Sequence, residues 1–187
     1  MATQPLPAIP SEMLQCFSAS VQQLLQDGRW PAAEQRVIRA LPQQDIPTRQ
    51  ACTLAMAEIY ASAGDLAHAR SWIRRFEASD RYTLRAAHLA HRLGEYLTAV
   101  DLMDIARSHN ECLSPADTLM AAQSALMAAE RMRLPRGRNA AWQRHLRLLH
   151  RCAEWLDRLP PTCTDSGLTS DAKRTHQRVA DLTRPKR

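Results

Sequence analysis

The chain is nearly without lysine. Of its 25 basic residues only Lys173 and Lys186 are lysines, a bias that points first to base composition and only second to a need for guanidinium groups. Aromatic residues make up 5% of the sequence and there are five glycines. That scarcity argues against sheet, whose strands favour aromatic and β-branched side chains. An apolar content of 45%, rich in alanine, suits closely packed helices. No run approaches the roughly 20 apolar residues that a membrane-crossing helix requires. The start, MATQPLPAIPSEMLQC, has neither the basic n-region nor the apolar core of a secretory signal. The five cysteines (Cys16, Cys52, Cys112, Cys152 and Cys163) are odd in number, widely spaced and contain no CxxC pair. They form neither a disulfide framework nor a zinc pattern, so a soluble protein of a reducing cytoplasm is expected. Also missing are GxSxG, HExxH, GxxxxGK and GxGxxG, and with them the usual signs of catalysis and of cofactor binding.

What is present is charge asymmetry. The formal net charge is +6, yet residues 131–187 alone hold 14 of the basic and 5 of the acidic side chains. The body of the chain is mildly acidic and its C-terminal third strongly basic.

The periodicity is helical throughout. Three prolines in residues 1–10 predict a flexible lead-in. Met13, Phe17, Val21, Leu24 and Leu25 then recur at helical spacing up to Gly28. Pro31 suits the first turn of a helix that buries Ala33, Val37, Ile38 and Leu41 and stops at Pro42. QQDIPTR reads as a linker. Further helices are expected over about 48–63, 66–78, 81–93 and 96–108. Ser114, Pro115 and Asp117 give a strong helix start. A last long helix over about 140–159 should bury Trp142, Leu146, Leu149, Ala153, Leu156 and Leu159. Beyond Pro160-Pro161 the Ser/Thr/Asp/Arg-rich composition predicts disorder, with a weak helix near 171–182.

Within this pattern one phrase occurs three times: DGRWPAAEQRVIRAL, AGDLAHARSWIRRF and LGEYLTAVDLMDIA. Each has a turn Gly, an aromatic or Leu two residues on, an Ala five after the Gly, and a bulky apolar residue four after the Ala. The anchors are Gly28/Trp30/Ala33/Val37, Gly64/Leu66/Ala69/Ile73 and Gly94/Tyr96/Ala99/Met103. This grammar resembles the second half of a tetratricopeptide repeat, although the glycine spacings of 36 and 30 depart from the family's 34. The expected fold is therefore all-α: a short α-solenoid of three tetratricopeptide-like hairpins over 11–108, capping helices with a basic face over 109–160, and a disordered basic tail over 161–187.

Candidate chemistry is sparse. His88 and His91 share a helix face but lack a third ligand at a telling distance, so no metal site is expected. Glu34, Asp101 and Asp104 read as ordinary exposed helix charges, and Cys152 as a core residue. Trp30 and Trp142 read as packing residues, while Trp72 and Trp155 are open to an interface role. Arg131, Arg133, Arg136, Arg138, Arg144, Arg147 and Arg151 form a basic face with three readings: a solvated surface, an acidic protein partner, or nucleic acid bound through its phosphates.

The resemblance implies a groove lined by the first helix of each pair. Transferred to this sequence, the groove comprises Gln22 and Leu25 from the first repeat, Leu54, Glu58 and Ala61 from the second, and Leu84, His88 and His91 from the third. Lys and Asn, which clamp a terminal carboxylate in the co-chaperone members, are missing there. An apolar or amphipathic segment of another protein is the implied partner, with nucleic acid as the alternative. Pairing of two copies through exposed end helices is open to such an array. In repeat number and size the chain also resembles the small tetratricopeptide chaperones of bacterial type III secretion, although those are usually acidic. The sequence as a whole implies a non-catalytic scaffold, adaptor or chaperone.

Overall fold

A computed structural model describes residues 9–78, 82–109, 113–132, 140–160 and 166–183. Among these residues the fold is all-α, with ten α-helices, one short 3-10 turn and no strand. None of the described helices is long and apolar enough to cross a membrane. The chain divides into two compact units, Met1–Leu93 and Gly94–Arg187. The boundary falls inside the stretch that reads as three repeats.

In the first unit, α1 (Ser11–Leu14) and α2 (Ala19–Gln26) replace the single helix expected from the sequence. Ser18 is extended, with ψ 152°, and its hydroxyl meets that of Ser20 at 3.2 Å. The Gln22 side chain holds the break by donating to Leu14 O at 2.9 Å and Phe17 O at 2.8 Å. Leu14, Phe17, Val21 and Leu25 are buried on one side of this bend. Next, α3 (Trp30–Ala40) carries Pro31 in its first turn and buries Trp30, Ala33 and Val37. The Trp30 indole donates to Leu25 O at 3.2 Å.

The segment read as a linker contributes the start of α4 (Ile46–Ser62). Asp45 caps it by accepting from the Thr48 amide at 3.0 Å, and Pro47 fills the first turn. Apolar on nearly all sides, α4 is the central helix of the unit: Cys52, Leu54, Met56, Ala57, Ile59 and Tyr60 are all buried. It packs most extensively against α5 (Leu66–Ile73), whose Ala69, Trp72 and Ile73 are wholly enclosed. Gly64 makes the turn between them with φ +78°, a conformation that costs an L side chain about 1–2 kcal/mol. After it, α6 (Thr83–Arg92) buries Ala86, Ala87, Leu89 and Ala90.

Glu34 is not the ordinary exposed charge that the sequence suggests. Its carboxylate accepts from Tyr60 Oη at 3.0 Å and from Trp72 Nε1 at 2.9 Å, joining α3, α4 and α5. Trp72 is therefore a core residue rather than an interface anchor.

The second unit contains α7 (Tyr96–Ser108), α8 (Pro115–Arg131), α9 (Ala140–Leu156) and α10 (Ser166–Thr183). The start of α8 is the expected one, a full capping box between Ser114 and Asp117. In α9 the buried stripe is His145, Leu148, Leu149, Cys152, Trp155 and Leu156. It is rotated from the expected one, leaving Trp142, Leu146, Ala153 and Leu159 half-buried. The rotation puts Trp155 inside, where its indole donates to Asp104 Oδ1 at 3.1 Å. His145, only 3% exposed, meets Ala129 O at 3.1 Å.

Beyond Pro161 disorder with a weak helix near 171–182 was expected; the helix there is α10, which is longer, spans 166–183 and is packed. Leu168, Ala172, Thr175, Val179 and Leu182 fall at alternating spacings of four and three. Thr175 is buried and the other four are half-buried, on a helix that packs against α8 and α9. Arg178 Nε binds Glu130 Oε1 at 2.6 Å. Residues 1–8, 161–165 and 184–187 lie outside the described residues, and with them most of the expected N-terminal lead-in and both ends of the expected tail.

Candidate functional site: a groove beside the central helix

Two adjoining cavities lie in the first unit, of about 310 and 540 Å³. They share Met13 and Glu58. The smaller is bounded by Glu12 and Cys16 near α1, by Ala51, Leu54 and Ala55 of α4, and by Tyr82 and Arg85 at the start of α6. The larger continues past Ala61 and Ser62 to Leu66, Leu89, Arg92 and Leu93. Together they form a groove along one side of α4, with α1 on one flank and α6 on the other. Its apolar surface comes from Met13, Ala61, Leu66, Leu89 and Leu93, and Leu66 remains 46% exposed.

One ion pair crosses the groove. Arg85 grips Glu58 with two parallel hydrogen bonds, Nε to Oε1 at 2.7 Å and Nη2 to Oε2 at 2.6 Å. The Glu58 side chain is only 10% exposed whereas Arg85 is 58% exposed, so the arginine is the member that water reaches. Bidentate pairs of this kind fix orientation as well as charge.

The sequence-derived set is only partly assembled here. Leu54, Glu58 and Ala61 all line the groove, as their shared face on α4 requires. On α6 the groove receives Arg85, Leu89 and Arg92, each one position beyond the expected Leu84, His88 and His91. Leu84 and His91 are half-buried and His88 exposed, and none of the three borders either cavity. Burial, assisted by the neighbouring His88, holds the His91 imidazole below its usual pKa of 6.5. Gln22 is occupied with the α1–α2 bend and Leu25 is core. The sequence reading missed Met13, Cys16, Arg85 and Leu89. The one signal for the last two was the phase of the buried pair Ala86/Ala90, which sets how α6 is rotated.

The basic face is divided in the same way. Arg131 donates from Nη1 to Gly94 O at 2.8 Å and stacks over the Tyr96 ring at 4.4 Å. Arg151 binds Asp101 Oδ1 at 2.9 Å and also Asp104 Oδ2. Both are engaged within their own unit. Arg144 and Arg147 are exposed. Arg133, Arg136 and Arg138 lie outside the described residues.

Among the described residues no group of three or more His, Cys, Asp or Glu side chains is placed to share a metal ion. Cys152 is buried in α9, and burial pushes its thiol up to about 12. No family model matches the chain, and no curated protein or solved structure matches it either.

Proposed function

We propose that the protein is a non-catalytic binding protein that holds an apolar or amphipathic segment of another protein in the groove beside α4. The observation that carries this reading is the continuity of the two cavities through Met13 and Glu58. They offer an elongated apolar strip with one fixed ion pair, the arrangement that suits a helix or strand presenting a mixed face. Leu66 supports it further, because a large aliphatic side chain exposed at a cavity edge gains by being covered, at about 25 cal/mol per Å² before ordering costs. The specific form of the proposal is a cytoplasmic adaptor or chaperone of the tetratricopeptide kind, similar in repeat number and size to the bacterial type III secretion chaperones.

The test is capture from the native host's lysate by the wild type and by two variants, Leu66→Glu and Arg147→Glu. Leu54 is too deeply buried (2% exposed) to be replaced without disturbing the core. A protein retained by the wild type and by Arg147→Glu but lost with Leu66→Glu supports the groove. Retention by all three sinks it. Nucleic acid that washes off with salt and is lost with Arg147→Glu would instead favour binding through Arg144 and Arg147, both exposed on α9.

A further inference from the structure

Cys16 and Cys52 are 36 residues apart and meet in the fold. Cys52 lies on α4, is 1% exposed, and donates its thiol to the Cys16 carbonyl at 3.1 Å. Cys16 follows α1, is half-buried, and donates to Met13 O at 3.5 Å. Cys16 borders the 310 Å³ cavity, which opens to solvent beside Glu12, Gln15 and Arg85. Cys16 therefore borders a cavity large enough for a small molecule, and the Cys52 sulfur lies against the Cys16 backbone.

We infer that Cys16 and Cys52 form a reversible dithiol–disulfide site whose co-reactant is a low-molecular-weight disulfide. In the first step the Cys16 thiolate attacks one sulfur of the disulfide RSSR. The S–S bond of RSSR breaks, a Cys16–S–S–R bond forms, and RS⁻ leaves and takes up the proton that Cys16 lost. In the second step the Cys52 sulfur attacks Cys16 Sγ and displaces the second RS⁻, which takes up the Cys52 proton. The protein gives up two electrons and two protons and becomes the Cys16–Cys52 disulfide; RSSR gains both as two RSH. The neighbouring Cys52 and burial raise the pKa of Cys16, so the first attack is the slower of the two. The second attack is intramolecular, between neighbouring residues, so the mixed disulfide does not accumulate.

The site does not depend on the groove reading, although it shares a wall with the groove. The new bond closes a loop of 36 residues and ties the bend after α1 to the central helix. Such a closure removes freedom from the unfolded chain.

The experiment treats the reduced full-length protein with oxidised glutathione and maps its peptides without reduction. The expected result is a Cys16–Cys52 linked peptide, with a raised thermal midpoint that dithiothreitol returns to its starting value. In Cys52→Ser, glutathione should stay attached to Cys16; in Cys16→Ser, Cys52 should remain unmodified. The inference is overturned if wild-type Cys16 retains glutathione, or if Cys16 and Cys52 stay reduced while the protein remains folded. It is equally overturned if the linkage that forms is between two chains. The wild-type map decides the question even where a serine variant does not fold.

Discussion

Glu34 and Trp72, 38 residues apart, are joined by a hydrogen bond of 2.9 Å from the indole nitrogen to a carboxylate oxygen. The second unit has its own version: Trp155 donates to Asp104 across 51 residues at 3.1 Å. In each case an arginine covers the ring, Arg75 at 5.3 Å from the Trp72 centroid and Arg107 at 5.1 Å from that of Trp155. A buried indole N–H needs an acceptor, and a carboxylate supplies one without opening the core to water.

Replacing Glu34 should therefore be costly. Glu34→Ala leaves the Trp72 and Tyr60 donors unmet in enclosed surroundings and should lower stability by about 2–3 kcal/mol. Glu34→Gln keeps one acceptor oxygen and should cost less. Urea denaturation of the two variants beside wild type checks the order.

The same logic separates the arginines of α9. Arg151→Ala removes the guanidinium shared by Asp101 and Asp104, although Asp104 keeps Trp155, and should cost about 1 kcal/mol, since these side chains are part-exposed. Arg144→Ala and Arg147→Ala remove exposed guanidinium groups and should stay within about 0.5 kcal/mol of wild type. Thermal melts at low and high salt distinguish them, because only the Arg151 difference should shrink as salt rises.

Gly64 and Gly94 provide a matched comparison. Both turn with positive φ, +78° and +75°. An added Cβ at Gly64 meets nothing within 4 Å, whereas at Gly94 it comes 3.3 Å from Arg131 Nη1. Gly64→Ala should cost only the backbone strain, about 1–2 kcal/mol. Gly94→Ala should cost more in the wild type but the same as Gly64→Ala once Arg131 is also alanine. A double-mutant cycle measures that coupling.

Acid should weaken the first unit through His91. Its imidazole has a folded pKa below the usual 6.5, caused first by burial and then by His88. The unfolded chain therefore binds the proton more readily. Stability is complete above pH 6.5 and declines as the pH falls below it, through the folded pKa. His91→Gln should flatten that part of the pH profile, and His88→Gln should flatten it less. Denaturation midpoints between pH 5 and 8 supply the test.

Helix existence was legible because it rests on local signals: Gly28, Gly64 and Gly94 at turns, Pro31 and Pro115 in first turns, and Ser114 as a cap. Rotation about each helix axis was not. The displacement from Leu84/His88/His91 to Arg85/Leu89/Arg92 on α6 is one residue, about 100°, and depends on which neighbours Ala86 and Ala90 pack against. The roles of Glu34, Asp104 and Arg151 were hidden for a similar reason, since Tyr60, Trp72 and Trp155 lie at least 26 residues from the carboxylates they bond, and Arg151 lies 47 from Asp104. Composition understated α10, where a weak helix was expected over 171–182 but a polar-looking stretch carries a stripe at Leu168, Ala172, Thr175, Val179 and Leu182. The repeat grammar located Leu54, Glu58 and Ala61 because α4 holds that face over four turns. It had nothing to say about Met13 or Cys16, which enter the groove only because the chain bends at Ser18.

The paired tryptophans have a practical consequence. Trp72 is wholly enclosed in one unit and Trp155 is 2% exposed in the other, so each indole fluoresces from a different half of the molecule. With Trp30, Trp142 and one of the two changed to phenylalanine, the emission of the remaining indole reports on its own unit alone. Two such single-tryptophan proteins, followed through the same denaturant series, would reveal whether the halves melt together or one outlasts the other.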